Sequence, residues 1–183
     1  MKFATKCLHA GYKPGNGEPG VFPVYQNTTY TYTSTDEVAS LFDLKSAGFF
    51  YSRLANPTVD AVEKKITELE GGVGAICTSS GQAACMLAIM NLCVSGDHLV
   101  ACSNIYGGSI NLLAVTLKRF GVEVTFVDGS LSNEELSKYF RPNTKAVFAE
   151  TIANPSTRIL DISRIADLAH SNGVPLIVDN TLA

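Results

Sequence analysis

Charge is scarce in this chain, and several chemistries are ruled out by what else is missing. Charged residues make up 17% of the 183 positions, tryptophan is absent and there are three histidines. His9, His98 and His170 are scattered, so no metal-ligand spacing arises. Cys7, Cys77, Cys85, Cys93 and Cys102 include no CxxC pair. Three of these, Cys77, Cys85 and Cys93, stand among apolar neighbours, where a thiol packs as a small hydrophobe. No run approaches the roughly 18 apolar residues of a membrane span. Met1 to Cys7 lacks the apolar core of a secretory signal. A reduced, cytoplasmic setting without a membrane partner is therefore expected. The net charge of -3 weighs against a nucleic-acid surface. Phosphate-loop and dinucleotide fingerprints are missing too: there is no GxxxxGK, and Gly71-Gly72-Val73-Gly74 precedes an expected strand instead of following one. Ser80 does not sit in GxSxG, which excludes a hydrolase elbow.

What is present is apolar and periodic. Hydrophobic residues account for 46% of the chain, enough for a real core in one domain of this length. The amino-terminal stretch differs from the rest. Lys13 to Gly20 is turn-rich, and Gln26 to Thr33 is polar and aromatic without helical period, so residues 1–55 read as an arm with no core of its own. From Asn56 the pattern becomes regular. Asn56 is placed as an N-cap and Pro57 at the first helical position, and Val59, Val62, Ile66 and Leu69 form one apolar stripe before Gly71. Strands are expected over 73–78, 98–102, 122–127, 145–149 and 175–178. Helices are expected over 81–93, 109–120, 134–140 and 161–172. Alternation of this kind gives βαβ crossovers and a mostly parallel α/β sheet over 56–183.

In such a sheet, ligands sit outside the carboxyl ends of the strands. The run Val174-Pro175-Leu176-Ile177-Val178 delivers Asp179 to that edge, where a carboxylate requires a cationic partner. Ser79-Ser80-Gly81-Gln82 joins a strand to a helix and presents backbone amides and hydroxyls to an anion. Taken alone, Ser80 reads rather as an ordinary N-cap, and Tyr106 in Tyr106-Gly107-Gly108 as a loop cover. Glu150 and Asn154 close another strand, and Thr181 follows Asp179. Together the strand ends offer an anion cradle, an aromatic plate and an acid awaiting a cation. Pyridoxal phosphate, a phosphorylated heterocycle with a ring N–H⁺, matches all three.

The motifs His9-Ala10-Gly11, Tyr51 to Thr58, Ser79 to Ala84, Tyr106-Gly107-Gly108, Glu150 to Pro155 and Val178 to Thr181 run through nearly the whole chain in order. They closely resemble the amino-terminal part of the PLP-dependent enzymes of cysteine and methionine metabolism, most of all its sulfhydrylase branch. The resemblance implies the large domain of the type I PLP-dependent transferases, the aspartate aminotransferase-like fold, truncated here. It implies that Gly81 and Gln82 give amides to the cofactor phosphate with Ser80 nearby. Tyr106 would stack on the ring and act on the leaving group. Asp179 would pair with the ring nitrogen, Asn154 would touch the ring hydroxyl, and Thr181 would support them. Tyr51 and Arg53 would reach the phosphate of a neighbouring subunit, in a homodimer usually doubled to a tetramer. The implied reaction on a small amino-acid substrate is γ-replacement on an O-acylhomoserine, with sulfide or a thiol displacing acetate to give homocysteine. Alternatives are a γ-lyase or cystathionine synthase activity, or an inactive oligomerisation module with this fold. Methionine γ-lyases typically carry cysteine at the position of Gly108, which weakens the lyase alternative. None of the chain's lysines sits in the motif of the family's Schiff-base lysine, which follows the Asp179 motif, so the chain alone is expected to be inactive.

Overall fold

The computed structural model describes residues 1–183 and divides into two units, Met1–Cys77 and Thr78–Ala183. The first holds α1 (Phe3–His9), α2 (Thr35–Phe42) and α3 (Pro57–Glu70). The start of α3 is as the sequence specifies. Asn56 Oδ1 accepts the Thr58 amide at 2.9 Å, and Pro57 occupies the first turn, where its missing N–H leaves nothing unsatisfied. The helix ends at Gly71, whose φ of +64° is a left-handed conformation natural to glycine. Lys6 and Lys65 stitch α1 to α3 by donating to the Glu68 and Cys7 carbonyls at 3.0 and 3.2 Å. Only Ala10, Leu41, Asn56 and Pro57 are buried in this unit, so hydrogen bonds rather than a core hold it.

Three local features differ from the sequence reading. Both α1 and α2 lie in the stretch read as an arm. For α2 the signal was there: Ser34 accepts the Glu37 amide at 3.2 Å, and Asp36 and Glu37 complement the helix dipole. The expected strand over 73–78 does not form. Val73 and Ile76 are exposed, and the Cys77 amide donates to the Glu63 carboxylate at 2.7 Å instead of to a ladder. An apolar run marks a segment suited to a sheet, but a strand exists only when a neighbouring backbone pairs with it.

The second unit contains α4 (Gly81–Leu92), β1 (His98–Cys102), α5 (Gly107–Asn111), a π-helical segment (Leu112–Thr116), α6 (Leu117–Arg119), β2 (Glu123–Val127), α7 (Asn133–Ser137), β3 (Thr144–Glu150), α8 (Ile162–Ser171) and β4 (Leu176–Asp179). The strands form one parallel sheet in the order β2-β1-β3-β4. Period-two alternation sends successive residues to opposite faces. Leu99, Ala101, Ala146 and Phe148 join Ile89 of α4 and Leu113 and Leu117 in one core. Val100 and Val147 face the other way, against Leu136, Ile165 and Leu168. Each such buried Leu, Ile or Phe contributes about 1.5–3 kcal/mol. With a core on both faces, the sheet's ends are the places left for polar chemistry. No helix is long and apolar enough to cross a membrane.

Candidate functional site

At the carboxyl end of the sheet, Gly81, Gln82, Tyr106, Glu150, Asn154, Asp179, Thr181 and Leu182 line one cavity of about 270 Å³. Its size is close to the lower end of the ~300–1,000 Å³ typical of small-molecule sites. The floor is set by β3 and β4, whose register places Glu150 opposite Asp179. Asp179 is half-buried, and its Oδ1 accepts the Thr181 amide at 3.1 Å and the Thr181 hydroxyl at 2.5 Å. Its Oδ2 meets the Cys85 thiol at 3.9 Å. None of the chain's salt bridges includes Asp179 or Glu150. The cationic partner expected for Asp179 is thus not supplied by this chain's own side chains.

Opposite these acids lies the head of α4. Ser80 accepts the Ala83 amide at 3.1 Å, which leaves the Gly81 and Gln82 amides without partners in the fold. The Ser80 hydroxyl therefore serves as an N-cap while its own proton stays available to a neighbouring oxygen. Gln82 Nε2 donates to the buried Ser109 hydroxyl at 3.3 Å and ties α4 to α5.

Tyr106 precedes α5, and its amide donates to Glu150 Oε2 at 2.6 Å. Its ring folds back over Gly108: a Cβ built there would overlap Tyr106 Cε1, closer than real Cβ contacts come. Gly108 thus makes room for the ring, whereas a Cβ at Gly107 would meet nothing. Asn154 sits in a loop held by the Ile152–Ile159 bridge and the Ala153 amide donating to the Arg158 carbonyl at 2.9 Å. Thr151 Oγ1, 2.7 Å from Asn180 Oδ1, fastens the loops after β3 and β4.

The Cys/Met metabolism PLP-dependent enzyme family model matches residues 4–183. The chain belongs to this family. It is 45% identical to an O-acetyl-L-homoserine sulfhydrylase of Corynebacterium glutamicum over 182 residues, 99% of this chain and 42% of that protein. An O-acetyl-L-homoserine sulfhydrylase 1 of Thermus thermophilus is 44% identical over 185 residues, 99% of this chain and 43% of that protein. Among solved structures, a Campylobacter jejuni protein assigned as an O-acetylhomoserine (thiol)-lyase superposes with a TM-score of 0.91 at 38% identity. That structure contains a pyridoxyl-lysine phosphate, and the match covers 99% of this chain and 44% of that one. A cystathionine gamma-lyase of Lactobacillus plantarum complexed with L-serine gives 0.87 at 34% identity, covering 100% and 45%. The chain spans a little over two fifths of the length of these relatives. The mostly parallel α/β sheet expected from the family's motifs is the one observed.

Of the residues singled out from sequence, Gly81, Gln82, Tyr106, Asn154, Asp179 and Thr181 come together in this cavity, while Ser80 caps the helix beside it. Tyr51 and Arg53 lie in the first unit, the guanidinium 4.9 Å from the centre of the tyrosine ring in a cation–π contact. Two participants were missed as site residues. Cys85 is hidden within an evenly apolar helix. Glu150 carries the same signal as Asp179, an acid at the end of an apolar strand, and the sequence places it at this edge without giving it a role. It is 4% exposed, and burial, followed by the Asp179 charge, pushes its carboxyl above the ordinary value while the Tyr106 amide pulls it down.

Proposed function

We propose that the carboxyl-edge cavity holds pyridoxal 5′-phosphate and that the chain forms part of an enzyme for γ-replacement on an O-acylhomoserine. The observation that carries this reading is the Asp179 carboxylate, left without a cation in the same cavity as two unpartnered amides and an aromatic ring. The residues fit the cofactor's three chemical features. Gly81 and Gln82 amides, with the Ser80 hydroxyl, receive the phosphate. Asp179, held by Thr181, keeps a proton at the pyridine nitrogen. Tyr106 covers the ring face, and Asn154 stands by the ring hydroxyl. When bound, the cofactor supplies an electron sink for carbanions next to the substrate amine.

Tyr51 and Arg53 are assigned to the phosphate of a neighbouring subunit, which makes the working unit a homo-oligomer in the cytoplasm. Gly108 stands where the methionine γ-lyases of the family typically carry cysteine, and this resemblance favours replacement over γ-lyase chemistry. No lysine lines the cavity. Borohydride reduction of the chain mixed with pyridoxal 5′-phosphate is therefore expected to leave no stoichiometric adduct, and the chain alone is expected to show no turnover of O-acetylhomoserine with sulfide. Spectroscopic titration with the cofactor tests the site itself. Saturable binding that weakens at least tenfold in Asp179→Asn supports the reading, and binding indifferent to that change refutes it.

A further inference from the structure

Glu150 is the one buried acid at the carboxyl edge to which the cofactor reading assigns no task. Its Oε2 accepts the Tyr106 amide at 2.6 Å across 44 residues of sequence, and its position in β3 is paired in register with Asp179 in β4. It lines the cofactor cavity and also a second cavity of about 160 Å³ that extends to Arg158 and Arg164. Neither arginine pairs with it. Arg164 donates to the Gly129 and Leu131 carbonyls and to Asn133 Oδ1, and Arg158 is exposed. The groups facing Glu150 are therefore Asp179 from β4, the Cys85 thiol from α4 and the Tyr106 amide before α5, while Cys102 of β1 shares only the lining of the second cavity. Asp128 and Asp161, both exposed, also line the second cavity.

A buried carboxylate whose nearest charged neighbour is another carboxylate holds its hydrogen bond against an opposing field. Neutralising that neighbour strengthens the ionised form of the acceptor, and a charge-assisted bond is the stronger one. We propose that Glu150 is the positioning residue of this site: its carboxylate ties the Tyr106 backbone to the end of β3 and tightens when a cation stands against Asp179. Ring-nitrogen pairing at Asp179 and placement of the aromatic plate are then one coupled event. The coupling rests on the cofactor reading for its biological use, but the link itself is a property of this chain.

The test is an amide NMR pH titration of the chain with no cofactor present. The Tyr106 amide resonance is expected to titrate with a midpoint above the ordinary glutamate value, and the titration is expected to vanish in Glu150→Gln. That variant keeps a carbonyl acceptor and the side-chain volume, and it should fold. Its Tyr106 amide should lose about tenfold in hydrogen-exchange protection, since a bond to a charged acceptor exceeds a neutral one by about that factor. In Asp179→Asn the midpoint is expected to move down towards the ordinary value. A Tyr106 resonance that ignores pH, or a midpoint unmoved by Asp179→Asn, overturns the proposal. Adding pyridoxal 5′-phosphate then separates the two readings. Absence of binding with the Tyr106 titration intact counts against the cofactor site alone.

Discussion

The two ends of one sheet handle buried polar groups in opposite ways. At the amino end, His98 is fully buried, with Nδ1 2.8 Å from Thr144 Oγ1 and Nε2 2.8 Å from Thr125 Oγ1. Arg141 completes the set by donating to the Thr144 and Thr125 hydroxyls and pairing with Glu123. Every group there finds its partner within the chain. At the carboxyl end, Glu150 and Asp179 have donors but no cation. A closed network joins strands, whereas an open one marks where something else belongs. Only β3 supplies both, with Thr144 at its first residue and Glu150 at its last, while β1 and β2 serve the closed end and β4 the open one.

Breaking the closed end should cost the most. His98→Ala removes a buried ring and leaves two hydroxyls to find new partners, so a loss of about 2–4 kcal/mol is expected in urea unfolding. The pH dependences of the two ends should also differ in sign. Burial, followed by the Arg141 charge, holds His98 below its ordinary 6.5. Its contribution is present above the unfolded value and is lost as pH falls from about 6.5 through the folded value. Glu150, held above its ordinary 4.5, behaves in the reverse sense. Its contribution is present below the unfolded value and is lost as pH rises through the folded one. Stability curves of the parent chain, His98→Ala and Glu150→Gln should show each slope disappearing with its own residue. A slope that survives both substitutions would dissolve the contrast. Ser80→Ala should cost only about 1 kcal/mol, the usual worth of an N-cap, read by thermal or urea unfolding. Gly108→Ala should leave stability nearly unchanged while altering the near-ultraviolet signal of Tyr106, whose ring must give way to the new methyl group.

How much of this was legible in the sequence follows from what each signal encodes. His98 to Cys102 was placed to the residue, because a short apolar run between turn signals in an alternating pattern has one reading. The acid at the end of β4 was legible from strand chemistry alone. Val73 to Cys77 was not, because its apolar pattern says nothing about whether a partner strand is at hand. Helix α1 has no side-chain cap and buries none of its residues, so neither capping nor core periodicity announced it. Glu150 escaped because its importance comes from register with Asp179 and from the Tyr106 amide, both of which are contacts far apart in sequence. The double task of Ser80, as helix cap and as hydroxyl beside the cavity, left both of its sequence readings standing.

The comparison stands or falls on where a phosphorylated pyridine settles. The direct measurement is a chemical-shift map of the chain titrated with pyridoxal 5′-phosphate. Perturbations gathered on the amides of Gly81, Gln82, Tyr106 and Thr181, with His98, Thr125 and Thr144 unmoved, are the result expected. Perturbations centred on the amino end, or spread evenly along the sheet, would contradict the assignment of the open network as the ligand site.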